Sequence, residues 1–287
     1  MEAEADFASG SPDIGPSTEL ADVVRGNIAA WLKPNTTGGH ELDDVVAWLL
    51  QRTATGTISK RRTATLWGDG HEIIRRKRLS AMATQVTLRQ AIGRGADGFL
   101  SFEAECVAHS EESEAADTAF IVNDTNMAYA RGATIHANNL VVTVGTSPNL
   151  VADITNLELT FDWSIPVDEL VRGGTPALTD PRITGTANVG INMDFQPGRG
   201  HLDTWSEIEG ILRSSDAWTI DWRSDPSDSG TSMFKIVLAR VEFPSNRPAW
   251  GGDKSALLPF SRSGKARASK TGLADTYLVY VDGVQVD

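Results

Sequence analysis

Few residues in this chain are spaced for chemistry, and each such group can be set against the reaction it would serve. Gly93-Arg94-Gly95-Ala96-Asp97-Gly98 fits the G-x-G-x-x-G spacing of a dinucleotide-binding turn. That chemistry needs a helix directly after the glycines, because the helix N-terminus holds the pyrophosphate. The residues that follow put Phe102, Ala104 and Cys106 on one parity and Glu103 and Glu105 on the other. This predicts a strand entered through a glycine-rich hairpin turn. His40, His71, His109, His136 and His201 are scattered, and none forms an H-x-x-x-H or H-E-x-x-H pair that could hold zinc. Cys106, the single cysteine, falls inside the strand pattern, where a thiol is expected to be buried and inert. No G-x-S-x-G elbow offers a serine nucleophile. The acidic turn Asp225 to Gly230 lacks the alternating ligands and closing glutamate of a calcium loop and reads as a hairpin loop. The expectation is a chain that is not an enzyme, with no catalytic residue, metal or cofactor.

The composition points the same way. With 287 residues and 40% hydrophobic side chains, the chain can bury a core as one large or two small domains. One cysteine cannot close an internal disulfide, and no signal segment is read at the start, so folding in a reducing cytoplasm is expected. No apolar run approaches the roughly 18–20 residues of a membrane span. The net charge of −12 opposes phosphate binding across the surface as a whole. Ile58 to Arg78 reverses that balance, with seven cations at Lys60-Arg61-Arg62 and Arg75-Arg76-Lys77-Arg78. Such a strip can hold phosphate, or it can meet a second copy of an acidic subunit, which makes Arg75 and Arg76 candidate protein contacts. Trp67 and Trp250 lie in Gly-rich, polar surroundings and are candidate contacts too, because a large aromatic on a loop is costly to leave wet.

The elements that must position these residues follow from periodicity. Residues 1–18 hold almost no apolar side chains and read as a flexible acidic tail. Leu20, Val23, Val24, Asn27 and Trp31 stand at helical spacing up to Pro34, and Leu42, Val45, Val46, Leu49 and Leu50 repeat it. Together they predict a helical hairpin inside a helical and basic segment, residues 19–83. Trp31, Trp48, Trp163, Trp205, Trp218 and Trp222 fall on apolar stripes and are assigned to the core.

From about residue 84 to residue 287 the period is two. Strands are predicted where Leu157, Leu159, Phe161 and Trp163 alternate with polar residues, and where Ile183, Val189, Ile191, Met193 and Phe195 do. The same pattern recurs at Trp218, Ile220 and Trp222, at Val237, Val241 and Phe243, and at Tyr277, Val279 and Val281. Leu202 to Arg213 interrupts them as a helix, with Thr204 and Glu207 spaced for a capping box. The expected fold is mainly β with some α: an antiparallel sandwich or barrel with one packed helix, plus the N-terminal helical segment. Two β-rich stretches on either side of about residue 150 leave a diverged duplication open.

The span Ala133 to Asp287 resembles the major tail tube proteins of long-tailed bacteriophages. The resemblance is carried by Asp153-Ile154-Thr155-Asn156-Leu157-Glu158-Leu159-Thr160-Phe161, a long polar loop at Ile165 to Pro181, and Ile183 to Val189. The single helix, the phrase Lys235 to Pro244, and a closing pair at Leu257 to Ala268 and Tyr277 to Asp282 complete it. The helical hairpin at residues 19–52 departs from a minimal tube subunit.

The resemblance implies a ring of subunits, usually six, whose sheets join into one inner barrel, with rings stacked into a tube for DNA. Its expected partners are itself, other tail proteins such as the tape measure, baseplate or distal tail and terminator, and DNA as transient cargo. No membrane is involved, and the tail would be assembled in the bacterial host cytoplasm. Asp162, Asn188, Asn192 and Asp194, on polar strand parities, are candidate lumen residues, and a solvated outer face accounts for them equally. The loop Ser164 to Asp180, with Asp168, Glu169 and Arg172, is the arm that by resemblance reaches the adjacent ring. Another ring component, such as a tail terminator or capsid-stabilising protein, and a carbohydrate-binding β-sandwich using Trp67 or Trp250 are the competing readings. Deleting Asp168 to Thr179 is expected to leave a folded subunit that cannot polymerise; normal tubes in electron micrographs of that deletion would rule the arm out.

Overall fold

The computed structural model describes residues 24–34, 41–50, 64–71, 74–92, 98–108, 110–115, 135, 137–163, 187–196, 200–202, 204–224, 231–244, 260–268 and 276–286. The first half holds β1 (Val24–Trp31), α1 (Glu41–Leu49), β2 (Ala64–His71), β3 (Ile74–Ala91), β4 (Ser101–Ala108) and β5 (Ser110–Ala115). β6 (Leu140–Val144) and β7 (Ile154–Asp162) follow. The rest comprises β8 (Asn188–Phe195), α2 (Trp205–Leu212), β9 (Trp218–Arg223), β10 (Ser232–Leu238), β11 (Arg240–Glu242), β12 (Phe260–Arg267), β13 (Tyr277–Val281) and β14 (Val284–Gln285).

Every pairing is antiparallel, so the expected class, mainly antiparallel β with some α, is the observed one. A nine-stranded sheet runs β1-β4-β3-β7-β8-β12-β11, with β2 and β5 paired to the first half of β3. A five-stranded sheet runs β14-β13-β10-β9-β6. Alternation dictates how they stack: Leu157, Leu159 and Phe161 of β7 and Val189, Ile191 and Met193 of β8 are buried. They meet Trp218, Ile220 and Trp222 of β9 and Phe234, Ile236 and Leu238 of β10 in one core. Phe161 stands edge-on to Tyr277 at 5.1 Å, and Trp222 stacks on Phe234 at 5.0 Å.

Three groups of polar contacts fix how the layers and helices meet. Gln90 of β3 is buried in the core, where it accepts from Trp222 Nε1 (2.5 Å) and donates to the Gly98 carbonyl (2.9 Å). Helix α1 is held by Trp48 Nε1 donating to the Ala81 carbonyl and by Tyr277 Oη donating to the Leu50 carbonyl. Asp153, fully buried, accepts the backbone N–H groups of His201 and Leu202 and so anchors the entry to α2. The capping box predicted from Thr204 and Glu207 starts that helix.

Several expectations need correction. Residues 24–31, read as part of a helix from 19 to 32, form a strand paired residue by residue with Ser101–Ala108. Gly26 and Asn27 weaken a helix there, and the ladder with β4 satisfies the backbone instead. There is therefore no helical hairpin among the described residues: α1 is the helix of the 19–83 segment, and residues 64–71 and 74–83 are strands. Trp31, assigned to the core, is 53% exposed. Val237 is half-buried while Phe234, Ile236 and Leu238 point inward, because Ile236-Val237-Leu238 is apolar on both parities and alternation could not choose between them. Gly98 leads into strand β4, antiparallel to β3, so no helix follows the glycines and the hairpin reading stands. Cys106 is buried, as expected. The 1–18 segment lies outside the described residues.

Gln90→Leu leaves the Trp222 indole N–H without its partner in the core, while the Gly98 carbonyl keeps the Ala137 N–H. It is expected to cost about 1–3 kcal/mol in chemical denaturation, whereas a change on the outward face such as Thr87→Ala stays within about 0.5 kcal/mol.

Candidate assembly surface

Because one face of the nine-stranded sheet packs on the five-stranded sheet, the other-parity residues of β1, β4, the second half of β3, β7, β8, β12 and β11 point outward together. Register carries them across strands: Trp31, Ser101, Arg89, Glu158, Asn192 and Ser263 form one transverse row from β1 to β12. The next row passes Ala29, Glu103, Thr87, Thr160, Gly190 and Lys265. The face is polar from side to side. Arg89 Nε donates to Glu158 (2.8 Å) and its Nη1 to Glu103 (3.3 Å), while Arg267 reaches Glu242 (3.1 Å), which Arg240 also contacts. These exposed pairs set side-chain positions more than they stabilise the fold.

All four candidate lumen residues fall on this face. Asp162 and Asn188 are register neighbours, while Asn192 and Asp194 accept from Ser263 and Ser261 on β12. Charge is not uniform across it. The middle strands β4, β3, β7 and β8 carry Glu103, Glu105, Glu158, Asp162 and Asp194 against Arg89, and β11 and β12 carry Arg240, Lys265 and Arg267 against Glu242. An open groove of about 540 Å³ marks this boundary, lined by Asp162, Asn188, Lys265 and Arg267 among others.

The edges of the sheet are as telling as its face. Among the described residues β1 and β11 are each paired on one side only. β11 is three residues long and followed by Pro244, two devices that blunt an edge. β1 has neither: it is eight residues long, free of proline, and apolar from Ile28 to Trp31. Trp31 tilts against Phe99 at 5.4 Å beside an open groove of about 490 Å³ that Arg89, Ser101 and Glu103 also line. In the second sheet, edge strand β6 is covered by its own chain. Val142 N donates to Asn149 Oδ1, Val144 N donates to Ser147 Oγ, and Leu150 N donates to the Val142 carbonyl. Among the described residues β1 is thus a long edge without such a device, as is the outer side of β2, which pairs with β3 alone.

The other sequence candidates fare differently. Arg75 pairs in register with Asp69 of β2 and Glu114 of β5, and Arg76 with Gly68 and Ser113. Lys77 and Arg78 lie opposite Glu112 and Glu111, so the basic run has an acidic partner strand within its own chain. Trp67 lies on β2 opposite Lys77. Asp168, Glu169, Arg172 and Trp250 lie outside the described residues. Sequence reasoning missed the β1 edge and Trp31; Gly26 inside the supposed helix was the signal against it.

No family model matches the chain, and no curated protein matches it. Among the described residues no helix is long and apolar enough to cross a membrane, and no group of three His, Cys, Asp or Glu residues could hold a metal ion.

The β1 ladder has a testable polarity. Leu32 N donates to the Leu100 carbonyl, so even-numbered residues of β1 bond to β4 and odd-numbered ones present their N–H and C=O outward. Ala29→Pro is expected to leave thermal stability within a few degrees of the parent, whereas Ala30→Pro breaks a ladder bond and costs about 3 kcal/mol. Equal melting temperatures for the two variants would contradict this register.

Proposed function

We propose that this protein is a structural, self-assembling subunit, a tail tube protein of a long-tailed bacteriophage whose stacked rings conduct DNA. The observation that carries the reading is the nine-stranded sheet: one continuous polar face, bounded at opposite ends by two different edges that lack partners among the described residues. Two unlike edges on one subunit make a head-to-tail contact, which closes into rings. Edge strands that would aggregate in a monomer become joints of a closed barrel, and closure removes the edges altogether. With the polar face inward, the carboxylates of its middle strands would meet phosphate without holding it, which lets DNA slide. The virion tail is the corresponding location, and neighbouring tail proteins are the partners of the end rings.

A second reading draws on Trp31. An exposed indole beside Arg89 and Glu103 could stack on a sugar ring, as in a carbohydrate-binding β-sandwich.

Negative-stain microscopy of the purified chain separates these readings. Stacked rings or tubes are expected from the parent, and monomers from Ala29→Pro under the same conditions. Single rings that never stack would favour a terminator or capsid-stabilising role. Isolated globules that bind sugar, with binding lost in Trp31→Ala, would replace assembly by the carbohydrate reading.

A further inference from the structure

The two parts of the chain repeat one pattern of pairings. In the first, β1 leads to α1, then β2 and β3 form a hairpin, and β4 and β5 follow. In the second, β8 leads to α2, then β9 and β10 form a hairpin continued by β11, and β12 and β13 follow. The hydrogen-bonded partners correspond throughout. β1 pairs with β4 as β8 pairs with β12, and β2 pairs with the first half of β3 as β9 pairs with β10. That first half of β3 pairs with β5 as β10 pairs with β13, and its second half with β4 as β11 pairs with β12. Unrelated sandwiches share a hairpin or two; four corresponding pairings in the same chain order, with a helix inserted at the same step, amount to a repeat.

The residues echo it faintly. Gly39-His40 and Gly200-His201 precede the two helices. Val46, Leu49 and Leu50 on α1 have the spacing of Ile208, Ile211 and Leu212 on α2, all buried or packed on the core.

The correspondence says what the open edges are for. The outer edge of β8 pairs with β7, and so does the outer edge of the second half of β3. Their counterparts are the outer edges of β1 and β11, the two that end the sheet. We propose that residues 24–115 and 188–281 are two copies of one structural unit. The seam between them inside the chain, where β7 lies between β3 and β8 and pairs with both, is the pattern for a seam between chains, with the β1 edge of one copy facing the β11 edge of the next across the width of one strand. β1 and β11 run in the same direction, as β3 and β8 do, so a second copy meets the first in the orientation in which the two units already meet. Each chain then fills two positions of the ring.

This inference rests on the assembly reading, and one preparation tests both. Ring mass measured by mass photometry gives the chain count, from a chain of 30.9 kDa. Averaged projections down the ring axis are expected to show twice as many density lobes as chains; one lobe per chain overturns the repeat. A chain carrying Ala29→Cys and Glu242→Cys, treated with a flexible bismaleimide, is expected to give a covalent ladder ending at the chain count of the ring. Ala29→Cys alone gives no ladder, and Cys106 is buried. Rings that give no ladder from the double variant overturn the edge pairing alone, while the absence of any ring overturns the assembly reading and this inference with it.

Discussion

Burial on one side only governs this fold. The nine-stranded sheet has a single apolar face, and the five-stranded sheet and α1 close over it, so the opposite face and the two end strands are left to whatever surrounds the molecule. Inside, the layers are set against each other by the bond from Trp222 to Gln90, whose amide also holds the Gly98 carbonyl. A buried amide with its partners in place tolerates little sliding, because any shift strands polar groups in a dry core. The aromatic contacts of Phe161 with Tyr277 and Trp222 with Phe234 contribute area; the Gln90 bond contributes registration.

The 18-residue strand β3 links this registration to the outer surface. Its second half sits in the middle of the large sheet, where Gln90 points inward and Arg89 outward to Glu158 and Glu103. Its first half leaves the main run of strands to pair with β2 and β5, which sets the basic run in register with Glu111, Glu112 and Glu114. A net charge of −12 is thus distributed by topology: cations beside Glu111, Glu112 and Glu114, carboxylates on the middle of the polar face, cations again at β11 and β12.

Much of the second part of the chain could be read directly. The buried parities of β7, β8, β9 and β13, the helix α2 and its capping box are local signals, carried by neighbours two to four residues apart. The four outward residues Asp162, Asn188, Asn192 and Asp194 were placed on polar parities for the same reason, though their union on one face required the register of β7 with β8 and of β8 with β12. β1 was misread because the inward parity of this edge strand is broken, with Ile28 packed on the core but Ala30 exposed, and its apolar residues happen to fit helical spacing. Trp31 went wrong with it. At β10, three consecutive apolar residues left the phase undetermined.

Residue type and spacing by themselves determined the class of fold, the helix α2, most inward-facing side chains and the burial of Cys106, since each depends on short-range periodicity or on a side chain's own solvation. Only the tertiary structure decided which strands end the sheet, that β6 is sheathed while β1, among the described residues, pairs on one side alone, and that the pairings of one half recur in the other. Backbone hydrogen bonds make those choices between segments far apart in the chain, and a backbone N–H or C=O carries no mark of the residue that bears it.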